Sequence, residues 1–132
     1  MKTLILLFAT SAFLFGCTST GKVNNTQLKH TQWQLSHVAG KITKSSPVTI
    51  EFIEAMQVHG NGGCNRFFGE GQLNDSTLKV NHIGMTRKLC DEQTNKMEST
   101  LLKMLEKGVP VLLLNDTLIF KGQPELRFQV AG

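Results

Sequence analysis

Several kinds of chemistry are excluded by what this sequence lacks. The chain has no run of basic residues; its Lys and Arg are scattered and the formal net charge is only +4. That is a mild positive balance, far from the footprint of a nucleic-acid binder. No C-x-x-C occurs among the three cysteines, and His30, His37, His59 and His82 do not stand at paired ligand spacings. A structural or catalytic metal is therefore not expected. No Gly-Lys-Ser or Gly-Lys-Thr closes a glycine-rich loop, so a phosphate loop is excluded as well. Neither His59 nor His82 carries a triad signature toward a cysteine, and Glu51, Glu54, Asp91 and Glu92 read as solvated faces and a helix start. The expectation is a protein without enzymatic activity and without a cofactor. Internal repeats and low-complexity tracts are also missing.

What is present begins with a processing signal. Met1-Lys2-Thr3 is a short positive start, Leu4 through Phe15 is a short apolar stretch, and Gly16-Cys17 follows. This is the order of a secretory leader. The apolar stretch falls short of the roughly 20 residues that span a bilayer comfortably, and polar residues follow it at once. Leu14-Phe15-Gly16-Cys17 resembles the bacterial lipobox, although Phe15 stands where a small residue is usual. A thiol beside the membrane surface can be alkylated, and cleavage frees the Cys17 amine for another acyl chain. Several chains anchor durably where one binds only marginally. The alternative is an ordinary leader cut near Gly16 with an unmodified Cys17. On the lipobox reading, residues 1–16 are a lipoprotein signal peptide and Cys17 is lipidated. Thr18 in place of an Asp implies sorting to the outer membrane. Export implies an oxidising compartment.

Residues 17–29 are polar with few apolar anchors and read as a flexible tether. The domain is expected over 30–132. Apolar residues make up 40% of the chain, enough for a packed core. Trp33 and Leu35 alternate with polar residues, as do Val48, Ile50 and Phe52. Further strands are expected over Ala55 to His59, Phe67 to Leu73, and from Leu78 through Val80 to His82 or Ile83. The period then changes. Met97, Leu101, Met104 and Leu105 share one helical face between Asp91, an N-cap, and Gly108, a stop, with Pro110 just beyond. A helix is thus expected from Asp91 to Lys107. Val109 to Leu114 is a nearly continuous apolar run, hence a central strand. Asn115-Asp116 is a turn, Thr117 to Phe120 pairs back, and Leu126, Phe128 and Val130 close the pattern. Hairpins with one helix make an α+β domain. Its expected form is a curved antiparallel sheet or partly open β-barrel with one packed α-helix.

The densest unusual segment is Gly60-Asn61-Gly62-Gly63-Cys64-Asn65-Arg66-Phe67-Phe68-Gly69, and a second is Thr86-Arg87-Lys88-Leu89-Cys90. Physically, the glycines permit positive φ and close approach, and the asparagines can bond nearby backbone. Either a structural turn or a binding loop follows, the turn being favoured. Cys64 and Cys90 have two readings: a disulfide, or two buried thiols acting as small apolar residues. Thr86 reads as a backbone-bonding residue before the helix, since no base stands beside it.

Taken in order with Trp33-Gln34-Leu35 and Leu118-Ile119-Phe120, these segments resemble the META domain family. The matching residues are Gly60, Gly63, Cys64, Asn65, Phe67, Gly69, Thr86 and Cys90, across about Thr31 to Val130. The resemblance implies a curved antiparallel sheet with one helix in a periplasm-facing protein. It also implies association with heat stress and with tolerance to novobiocin. It brings no defined reaction and no catalytic residue. Two roles are therefore expected. One is a non-enzymatic envelope lipoprotein, held by its lipid anchor and acting on an unknown envelope protein. The other is a carrier of a small apolar ligand in a groove between sheet and helix.

Overall fold

The computed structural model describes residues 22–132; the expected signal peptide over 1–16 and the lipidation expected at Cys17 lie outside the described residues. A one-turn helix α1 (Asn25–Leu28) leads into nine strands and one long helix. The strands are β1 (Thr31–Val38), β2 (Lys41–Ile42), β3 (Thr49–Phe52), β4 (Gln57–Asn61), β5 (Arg66–Asn74), β6 (Thr77–Met85), β7 (Val109–Leu114), β8 (Thr117–Phe120) and β9 (Leu126–Val130). Helix α2 (Glu92–Lys107) lies between β6 and β7.

Every strand pairing is antiparallel, and the sheet closes on itself. The order runs β1-β3-β4-β5-β6-β7-β8-β9 and β9 returns to β1, while β2 only extends the far side of β1. The result is an eight-stranded barrel, closed where the sequence left a partly open form available. β1 makes closure possible. Its residues Thr31–Gln34 pair with β3, and Trp33–Val38 pair with β9 across a bulge between Leu35 and His37. A bulge adds local bend and twist, which a closing sheet needs. The weakest seam is β6 to β7, where only Thr77↔Pro110 and Leu78↔Val109 are in register. Helix α2, which connects those two strands, packs against β6.

The period-two pattern puts alternate residues inside. Trp33 and Leu35, Ile50 and Phe52, Val58, Phe67, Leu78 and Val80, Val109 and Val111, Leu118 and Phe120, and Leu126 and Phe128 are all buried. An eight-stranded barrel is just wide enough for side chains to fill it, and these do. Phe120 and Phe128, on neighbouring strands, sit with ring centroids 4.8 Å apart. Each fully buried side chain of this size contributes roughly 1.5–3 kcal/mol. The run Val109–Leu114 is less uniform than its composition suggests. Val109 and Val111 face the core, but Leu114 is exposed at the turn.

Three local expectations need correction. The strand drawn from Ala55 starts at Gln57, because Glu54–Met56 form a tight 3-10 turn in which Ala55 and Met56 both have positive φ. The buried face of α2 is Glu98, Leu101, Leu102 and Leu105, with Met97 and Met104 only partly covered. Finally, the polar segment up to residue 29 is not a free tether over its described part. Val23 and Leu28 are core residues, and Asn24 caps α1 through a reciprocal pair with Gln27. Two apolar anchors suffice to dock a short polar turn when both reach the core.

At the other helix, Asp91 accepts from Thr94 N at 2.9 Å and from the Thr94 hydroxyl. The Thr94 side-chain bond, then its backbone bond, hold the Asp91 carboxyl below its ordinary range. Its capping contribution is therefore present above the unfolded carboxylate pKa and fades as pH falls through the lower folded value. Gly108, at φ +92°, ends the helix and donates to Met104 O at 3.0 Å.

Leu28→Ala tests whether the domain begins before residue 30. Leu28 is 0% exposed, so the cavity should cost about 2–5 kcal/mol. Urea denaturation of the folded domain measures it; an unchanged midpoint would return this segment to the status of a linker.

Candidate functional site

The glycine-rich segment turns between β4 and β5 and meets the first half of α2. Gly62 N donates to Asn65 O at 2.9 Å, and Gly63 N donates to the Asn61 side-chain oxygen at 2.8 Å. Gly63 takes φ +116°, a conformation that side chains rarely tolerate. The turn leaves two successive backbone N–H groups, those of Cys64 and Asn65, pointing at one place. Convergent N–H groups of this kind form an anion-binding concavity.

The anion is the chain's own. Glu98 Oε2 accepts from Cys64 N at 3.1 Å and from Asn65 N at 2.5 Å. Its other oxygen accepts from Asn65 Nδ2 at 2.8 Å. Glu98 is only 5% exposed. Gly62 is required here, since a Cβ at that position would come within 2.5 Å of Glu98 Cγ. The turn therefore binds a helix carboxylate internally, which accounts for its composition without an external ligand.

Asn65 is the hub. Besides its bond to Glu98, its amide nitrogen donates to Lys88 O at 3.1 Å. Its Oδ1 accepts from Lys88 N at 2.6 Å and from the Thr86 hydroxyl at 2.9 Å. Thr86 Oγ1 in turn accepts from Arg66 N at 3.2 Å. The side chain thus uses both donors and its acceptor on fixed partners, and that pattern determines the orientation of the amide. Cys64 and Cys90 are joined in a disulfide with Cα atoms 5.9 Å apart, fastening the far end of the same loop.

The family-motif residues therefore divide. Cys64, Asn65, Thr86 and Cys90 form one cluster around Glu98, and Gly63 shapes the turn that presents them. Gly60 and Gly69 stand apart in the ladder, opposite Phe67 and Val58, and Phe67 is a core residue. Sequence reasoning missed Glu98. Its signal was its position: with Leu101, Leu102 and Leu105 it falls at helical spacing on the apolar stripe. A carboxylate on that stripe must find donors or be expelled. His82 bonds Glu70 on the outer surface, remote in role from any cysteine.

Among the described residues there is no group of three or more His, Cys, Asp or Glu side chains placed to hold a metal ion. No helix of the described residues is long and apolar enough to cross a membrane. Among the described residues the surface carries several open depressions. One, of about 380 Å³, has Met104, Val109 and Pro110 in its lining beside Lys103, Lys107 and Lys121.

Comparison with known proteins adds the following. The META domain description matches residues 26–131. The chain is 34% identical over 137 aligned positions to "Heat shock protein HslJ" of Escherichia coli (strain K12), covering 99% of this chain and 97% of that protein. A solved NMR structure with 34% sequence identity superposes with a TM-score of 0.73, covering 82% of this chain and 95% of that one. A second NMR structure, of a protein from Burkholderia xenovorans, is 23% identical with a TM-score of 0.61, over 80% of this chain and 85% of that one, and shares the fold.

Two measurements probe the cluster. Asn65→Asp keeps the shape but turns a donor toward Lys88 O and Glu98 into an acceptor. It should cost at least about 2 kcal/mol in urea denaturation, since both acceptors lose their partner; an unaltered midpoint would show that the amide is not the hub. Replacing Cys64 and Cys90 together by alanine opens a link across 26 residues of sequence and should cost about 3.5 kcal/mol on the chain-entropy account. Intact mass should also rise by two hydrogen atoms when a thiol reductant reduces the native chain; no rise would mean free thiols.

Proposed function

The chain belongs to the META domain family, and on that premise we propose that it is a heat-stress protein of the cell envelope, tethered to the outer membrane through Cys17 and acting by contact, not by turnover. The observation that carries this reading is the extent of likeness to the heat shock protein of Escherichia coli: it covers 99% of the chain, and so extends into the leader and lipobox. The leader, the lipobox cysteine and the polar residues after it fit export followed by acylation.

The site geometry supports action by contact. The most elaborate cluster in the domain joins a carboxylate, an amide and a hydroxyl in bonds to one another and to backbone. None of these groups is placed as a nucleophile beside a base. A carrier role has less support. The barrel interior is filled by Phe52, Phe120, Phe128 and their aliphatic neighbours, so an apolar ligand would have to use an outer groove. An exported domain that must persist through heat gains from a filled core and a disulfide. Tolerance to novobiocin would follow from an envelope that stays intact under stress.

Cys17→Ser tests the anchor. Membrane fractionation should move the protein from the outer-membrane pellet to the soluble envelope fraction, and a deletion strain should lose growth at elevated temperature and in novobiocin. Recovery of the serine variant in the pellet at wild-type level would refute the lipid anchor. Unaltered growth of the deletion strain would refute the stress role.

A further inference from the structure

Three of the four hydrogen bonds of the Asn65 side chain end on the segment between β6 and α2. Thr86 N donates to Arg66 O at 3.0 Å, both backbone groups of Lys88 are bonded to Asn65, and Cys90 is bonded covalently to Cys64. Cys90 also exchanges backbone bonds with the Asn95 side chain, at 3.3 and 3.0 Å. A loop without internal secondary structure is thereby fastened at alternate residues. The residue at its tip is Leu89, which is 94% exposed. A leucine this exposed, on a backbone held this firmly, contributes little to the fold.

Cations stand on the side that leads into it. Arg87 and Lys88 precede it, and Arg66 lies alongside through the Thr86 bond; all three are exposed. None of them makes an ion pair among the described residues. Phe68 and Met85, both exposed apolar residues, stand at the adjoining ends of β5 and β6. Two exposed carboxylates, Asp91 and Glu92, follow the tip, but Asp91 is engaged by Thr94; an apolar tip flanked on its other side by three unpaired cations is the complement of an apolar pocket with an acidic edge. Rigidity adds to this, because a loop already ordered loses little entropy on docking.

Position in the barrel selects the kind of partner. Val23 N donates to Ser76 Oγ, so the chain enters beside the turn between β5 and β6. The Leu89 loop leaves β6 at its other end, nine strand residues away, or about 25 Å at the usual rise. Covalent geometry limits the five steps from Cys17 to Lys22 to roughly 18 Å. A domain anchored at Cys17 is therefore tied to the membrane at the barrel end opposite the loop, which favours a partner met away from the anchor.

We propose that the Thr86–Cys90 loop is a preformed docking finger for an acidic protein partner, with Leu89 entering an apolar pocket and Arg66, Arg87 and Lys88 meeting carboxylates at its rim. The choice of a protein over a bilayer rests on the lipid-anchor reading; the finger itself does not.

The test uses the full-length chain in intact cells. A photoreactive diazirine amino acid close to leucine in size is placed at position 89, and at position 75 as an anchor-end control. Irradiation should give a protein adduct at 89 only, with the crosslinked peptide mapping beside Asp or Glu residues. Arg87→Glu with Lys88→Glu should reduce that adduct at least tenfold while the melting temperature stays unchanged. A lipid adduct, an adduct with a second copy of this chain, an adduct indifferent to charge reversal, or no adduct would each overturn the proposal. Fractionation of the same cells reads the anchor separately, so loss of membrane association and loss of the adduct are distinguishable results.

Discussion

The carboxylate of Glu98 in the cradle formed by Cys64 N, Asn65 N and Asn65 Nδ2 is the interaction on which the upper part of this molecule depends. It comes from the helix, and it is received by the turn between β4 and β5. Buried carboxylates are tolerated only when their lone pairs are occupied. Here three N–H donors occupy them, and each donor belongs to the motif segment. The glycines follow from that arrangement: Gly62 because the Glu98 stem passes against it, Gly63 because the chain must turn through positive φ to aim the next two N–H groups. What looks in sequence like a glycine-rich ligand loop is the receptor for a residue thirty-odd positions further along.

Closure of the barrel has the complementary effect on function. Once β9 pairs with β1 there is no free sheet edge in the ring, and the interior is occupied by aromatic and branched side chains. Chemistry or recognition must then lie on the outside. Helix α2 packs against β6, whose pairing with β7 is the thinnest in the ring, and the disulfide fastens the loop that precedes that helix. The same few bonds that secure the helix also hold Leu89 out toward solvent, so fold stability and surface display are coupled through one cluster.

How much of this was legible beforehand differs by element. The alternation of Trp33 with Leu35, of Ile50 with Phe52 and of Leu126 with Phe128 marked inward faces correctly, because a strand facing a core has period two and no other constraint of similar strength. The helix limits were equally clear, since Asp91 and Gly108 are chemically suited to opposite helix ends. The start of the domain was not. Val23 and Leu28 are separated by polar residues, and local composition outweighs two isolated anchors in any short window. Ala55 and Met56 likewise have the look of strand residues, because nothing in their side chains announces a positive φ imposed by the turn before β4.

By itself, then, the amino-acid order determined the periodicities, the caps and the spaced motif of the family; each is a local property, expressed within a few residues. Tertiary structure alone decided that the sheet closes, that Cys64 and Cys90 stand within bonding reach, and that Glu98 is the missing partner of the glycine turn. Those outcomes join positions 26 to about 100 residues apart, and they depend on how twist, bulge and helix packing add up around a ring. No window of sequence contains that sum, because it is set by the geometry of the assembled barrel.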